Sequence, residues 1–158
     1  MAQIETGKEL KLDNVLSLRK KMTQMEIQQE MMKIGKFFEE IGIKKNGPVV
    51  TATFAMEQNG GQPLLDMEIL IPMDKKVSLD GEYILKEKFH LVNAVYAKHI
   101  GNPNLLQNTY NQLMAYINDN KLHQITVAYN AQVKDMKLGD SIDDMVMDVY
   151  IGVNPSIL

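Results

Sequence analysis

Two carboxylates, Glu68 and Asp148, stand eighty residues apart at the centres of two segments that match position by position. Leu65-Asp66-Met67-Glu68-Ile69-Leu70-Ile71-Pro72-Met73 and Met145-Val146-Met147-Asp148-Val149-Tyr150-Ile151-Gly152-Val153 carry an apolar residue at every odd position. Such alternation predicts strands with one face in a core and the acids on the other. Tyr150 is two residues from Asp148 and shares its side of the strand. If that second face is solvated, as one face of an antiparallel sheet commonly is, the acids are ordinary surface groups. If it lines a groove, a carboxylate beside an aromatic ring attracts an organic cation by its charge and by the ring's quadrupole. Asp148 and Tyr150 are then the leading ligand contacts, with Glu68 their counterpart. Tyr96, Tyr129 and Phe54 are further pocket candidates. Tyr129 shares its alternation face with Ile125 and Val127, Phe54 with Val50 and Met56, and Tyr96 with Val92 and Ala94. Alternation alone does not say which of those faces is core. A groove acid also has the minimum equipment to activate water or protonate a strained substrate. Glu68 or Asp148 is therefore the candidate group if the chain is an enzyme, and otherwise no catalytic residue is assigned.

Other chemistries find little support. The three histidines, His90, His99 and His123, have no HxxxH or HxH spacing, so no metal site is expected. Cysteine is absent, which removes disulfides, thiolate ligands and thiol nucleophiles. Serine occurs in no Gly-x-Ser-x-Gly context, and Gly60-Gly61 has neither Walker nor dinucleotide spacing, so no cofactor is implied. The net charge is −3 and Arg19 is the only arginine. Arginine is the favoured residue for bidentate contacts to phosphate and base edges, so no nucleic-acid partner is expected through this chain. No apolar run is long enough to span a bilayer and residues 1–12 do not read as a signal peptide. The expected location is cytoplasmic, away from membranes. Twelve methionines are either gap-filling core or an adaptable surface for a ligand or a protein partner.

The elements that must position the acids can be read in order. Residues 1–12 carry no period and form a lead-in or an edge strand, and 15–22 alternate as a strand. Thr23 with Glu26 has capping-box spacing, and Ile27, Met31, Ile34, Phe38 and Ile41 make one stripe of a helix running to about Gly42. Strands follow at 49–56 and 64–73, joined by a loop holding Asn59-Gly60-Gly61. After a polar divide the plan restarts: a strand at 88–100, a helix from Asn104 with the stripe Leu106, Tyr110, Leu113 and Ile117, and strands at 123–133 and 145–153. A loop holding Gly139 lies between the last two, and Asn154-Pro155 stops the chain's last strand. Each half thus reads as β-α-β-β, with pseudo-repeats at about 13–74 and 82–153 of a single domain, 1–158. The expected fold is α+β, a curved and mostly antiparallel sheet with two helices on one face and a groove on the other.

The stretch Asn93-Ala94-Val95-Tyr96-Ala97-Lys98-His99-Ile100-Gly101-Asn102-Pro103 resembles the strand and His-x-Gly turn of the GyrI-like domain. That domain is the effector-binding part of AraC- and MerR-type bacterial regulators. The helix residues Tyr110 to Ile117 and the ending Met147-Asp148-Val149-Tyr150-Ile151 are similar to the family's pattern, as are Gly47-Pro48 and Glu68-Ile69-Leu70-Ile71-Pro72 in the first half. His99 matches the family's position before the glycine. Asp148 stands where the family has the longer glutamate, and Gly152 where it has proline. The resemblance implies a groove binding small, often cationic and aromatic molecules between an acid and aromatic rings, in a version without a DNA-binding domain. Some members look like hydrolases that use a groove glutamate. Three functions therefore remain open: a receptor for a small organic ligand, a small hydrolase, and an interaction module for a protein partner.

Overall fold

Thr23 separates the first strand from the first helix. Its hydroxyl accepts from the Glu26 amide at 3.3 Å, and the Glu26 carboxylate accepts from the Thr23 amide at 3.0 Å, closing the capping box. In this computed structural model, which describes residues 3–133 and 141–154, the elements are β1 (Ile4–Met22), α1 (Gln24–Ile41), β2 (Val49–Asn59), β3 (Gln62–Pro72), β4 (Ile84–Ile100), α2 (Leu106–Asp119), β5 (Gln124–Gln132) and β6 (Val146–Val153). Gly139 and Pro155, expected in a loop and at a strand stop, lie outside the described residues. Helix α1 stops at Gly42, whose left-handed φ of 73° costs glycine nothing. Among the described residues the protein is α+β, with two α-helices and six strands, as the alternation and stripes predict. No helix among the described residues is long and apolar enough to cross a membrane.

The chain divides into two compact units. Leu12–Phe89 forms the first; Met1–Lys11 and His90–Leu158 form the second. Strands β1 and β4 each contribute to both, since each crosses a boundary of this division.

In the first unit β3 is the middle strand, antiparallel to β1 and to β2. Leu16 pairs with Ile71 and Leu18 with Ile69, so the even residues of β1 and the odd residues of β3 share one face. They bury against Ile34 and Phe38 of α1, the stripe that the helix periodicity picks out. Met22, Met67 and Met73 fill this core, while Met25, Met32 and Met56 are exposed.

In the second unit β6 is the middle strand, antiparallel to β4 and to β5. Val95 and Ala97 of β4 and Val149, Ile151 and Val153 of β6 pack against Leu113 and Ile117 of α2. Both units thus run strand, helix, strand, strand, with the last strand central.

Two strands are longer than the alternation suggested. β1 begins at Ile4, so it takes in residues 4–12, expected as a lead-in or an edge strand, and β4 begins at Ile84 rather than 88. Their leading residues are largely exposed, so they carry almost no hydrophobic signal. Alternation also breaks inside two strands. A register shift between Thr53 and Ala55 puts a bulge at Phe54, so buried Val50 and exposed Met56 do not share an environment. A second irregularity between Gln124 and Ala128 separates exposed Ile125 from buried Tyr129.

Candidate functional site

The face of the second unit turned away from α2 carries a row of three tyrosines. Tyr150 on β6 pairs with Tyr96 on β4 and with Tyr129 on β5, so the three lie side by side across the strands. The Tyr96 and Tyr150 rings stand 5.1 Å apart between centroids at 50°. Tyr129 is buried, at 8% exposure, and its neighbour Asn130 points the other way to accept from the Tyr110 hydroxyl of α2 at 2.8 Å. The next row along the strands is Lys98, Asp148 and Ala131.

The Tyr96 hydroxyl donates to Asp148 Oδ1 at 2.6 Å, a short charge-assisted bond. Burial pushes the Tyr96 phenol well above its usual range, and the Asp148 carboxylate adds to that push. Burial likewise raises Tyr150, with Asp148 contributing. Both phenols therefore keep their protons at neutral pH and present donors and ring faces. Among the described residues no lysine or arginine forms an ion pair with Asp148. Lys98 is the direct cross-strand neighbour of Asp148, and Lys8 holds its ammonium 5.6 Å from the Tyr96 ring centroid while pairing with Glu5 at 3.6 Å.

The matching face of the first unit is built differently. Glu68, 5% exposed, accepts from Ser17 Oγ at 2.6 Å and from Lys86 Nζ at 2.6 Å, both on Oε2. Its strand neighbours across the sheet are Arg19 and Ala52. Arg19 stacks its guanidinium 3.9 Å from the Phe54 ring centroid and forks onto Asp66 at 3.3 and 3.2 Å. That contact holds the Asp66 carboxyl below its usual range. Here the protein's own cations occupy the acid and the ring.

Of the residues chosen from sequence, Asp148, Tyr150, Tyr96 and Tyr129 come together on one face of the second unit, while Glu68 and Phe54 belong to the first. Sequence reasoning missed Ser17 as a partner of Glu68, although its alternation with Leu16 and Leu18 already put it on the right face. Lys86 was missed for want of any signal. His99 is buried and held at both ring nitrogens, by the Thr109 hydroxyl at 2.8 Å and the Asn102 carbonyl at 3.0 Å, which makes it a structural residue. No cluster of three or more metal-ligating side chains occurs among the described residues.

No family model matches the chain, and no curated protein matches it. Solved structures do. The C-terminal domain of EcmrR superposes with a TM-score of 0.79 at 17% identity, covering 98% of this chain and 98% of that one. The EcmrR chain in a DNA complex gives 0.74 at 17% identity over 97% of this chain, which spans only 57% of that longer chain. A hydrolase from Listeria innocua gives 0.63 at 11% identity, covering 97% and 91%. The likeness is one of fold: the chain shares the fold of the EcmrR C-terminal domain.

Proposed function

We propose, from that fold, that the protein is a receptor for a small organic cation, bound on the tyrosine face of the second unit. One observation carries the reading: Asp148 accepts a 2.6 Å hydrogen bond from Tyr96 beside a pair of tyrosine rings and has no ion-pair partner among the described residues. A carboxylate in a partly desolvated aromatic setting favours a cation that brings its own apolar surface, because ring quadrupole and charge then act together. The phenols supply flat apolar walls and Asp148 supplies the charge.

The two units read best as copies of one β-α-β-β module. The support is positional: Ser17 to Glu68 and Tyr96 to Asp148 are the same diagonal hydrogen bond, first strand to middle strand, at 2.6 Å in each. In the first copy Lys86 stands as the cation on the acid, which argues for a single binding equivalent per chain. Hydrolysis has less behind it. Glu68 is pinned by Ser17 and Lys86, so it is poorly set to move a proton, and Asp148 already takes the Tyr96 hydrogen bond.

The test is a thermal-shift titration with ethidium and acridine orange, and with anionic anilinonaphthalene sulfonate as the control. The cations should raise Tm of the wild type and of Glu68→Gln, and should lose their effect in Asp148→Asn. An equal rise in Asp148→Asn, or one with the anion only, would overturn the assignment. Co-purification of a specific protein that survives Asp148→Asn would point to a partner module instead.

A further inference from the structure

The other face of the second unit, the one that packs α2, holds a cavity of about 580 Å³ near the C-terminal end of that helix. This is the size range of small-molecule sites. Its floor is apolar, with Val95 and Val153 from the sheet and Leu122 from the turn after the helix. Around the floor stand three carboxamides, Asn93, Asn120 and Asn154, with the hydroxyl residues Thr6 and Tyr116. No acid, lysine, arginine or histidine is among the described lining residues. Asn120 is fixed in place: its Nδ2 donates to the Tyr116 carbonyl at 2.9 Å, which leaves Oδ1 as an acceptor. Gly7, also at the wall, has φ +67° and no atom within 4 Å of where a Cβ would stand.

We propose that this cavity binds an uncharged planar ring with an amide or lactam edge, the chemistry of a nucleobase. Three features select that class. An ionised phosphate or carboxylate would find no countercharge among the described lining residues, so charge gains nothing here. A carboxamide presents a donor and an acceptor in one plane, the geometry by which asparagine pairs with the edge of adenine. The floor of valines and leucine suits a flat ring, which a sugar lacks. The cavity lies on the opposite side of the sheet from Asp148, so it is independent of the cation site.

The experiment is an NMR titration of the wild-type protein with adenosine and with uridine, with glucose as the control, following the side-chain amide signals of Asn93, Asn120 and Asn154. One or both nucleosides should move these signals to saturation and glucose should not. Asn93→Leu and Asn120→Ala should each weaken binding about tenfold, the loss of one or two hydrogen bonds. The ethidium response should stay as in the wild type. Unmoved amide signals at millimolar nucleoside, or equal movement with glucose, would overturn the proposal. The wild-type titration decides this even if a variant fails to fold.

Discussion

The two units answer the same structural problem with different residues, and the differences fall in one pattern. Each has an acid on the middle strand that accepts a hydroxyl from the first strand at 2.6 Å. In the first unit that hydroxyl is Ser17, the row beside it is Ser17, Leu70 and Val50, and Lys86 completes the acid's shell. In the second the row is Tyr96, Tyr150 and Tyr129, with no ion pair on Asp148 among the described residues. The helices repeat the contrast. Buried Glu30 of α1 takes Lys20 of β1 at 2.7 Å, where buried Thr109 of α2 takes His99 of β4 at 2.8 Å. The first unit closes its buried acids Glu30 and Glu68 with internal ion pairs, whereas Asp148 of the second takes a phenol hydrogen bond and, among the described residues, no ion pair. A carboxylate already satisfied by a lysine contributes to fold, whereas Asp148, beside two tilted rings and a phenol donor, is the one we propose to meet a ligand.

The largest effect should come from breaking the first unit's own pair. Lys86→Met strands a buried carboxylate, and urea unfolding should show a loss of about 3 kcal/mol. Adding Glu68→Gln should recover most of it, since the cost lies in the unpaired charge. A double variant no more stable than Lys86→Met would contradict that account. Next comes Glu30→Gln, at about 2 kcal/mol, because Glu30 sits between Lys20 and Lys33 with little solvent. The hydrogen bond from Lys20 holds the Glu30 carboxyl below its usual range. Its stabilisation is therefore present above the unfolded carboxylate pKa of about 4.3 and is lost as pH falls through the lower folded value. A stability–pH curve should lose part of its acid limb in Glu30→Gln, and an unchanged limb would exclude the assignment.

Smaller effects sharpen the contrast. Ser17→Ala and Tyr96→Phe each remove a hydroxyl from an acid, at about 1–2 kcal/mol. Ser17→Ala should cost more, because Glu68 is the more buried acceptor. The reverse order would mean that Asp148 depends on Tyr96 more than its exposure suggests. Smallest is Thr23→Ala, at about 1 kcal/mol from the capping box of α1. Helix α2 has no side-chain cap at Leu105, so Leu105→Ala should show no capping loss beyond that of its apolar surface.

Periodicity and chemistry local to the chain were legible from the start. The stripe from Ile27 to Phe38, the capping box at Thr23 and the odd-numbered apolar residues of β3 and β6 all depend on neighbours within a few residues, so the sequence alone determined α1, α2 and the core faces of the middle strands. The same alternation put Glu68, Asp148 and Tyr150 on the faces turned from the helices. Long-range register was not legible. Only the folded chain decided that Tyr96 and Tyr129 flank Tyr150, that a bulge turns Phe54 beneath Arg19, and that Lys86 reaches Glu68. Those contacts join residues far apart in sequence, and a strand shifted by one position would have turned each of them to the other face.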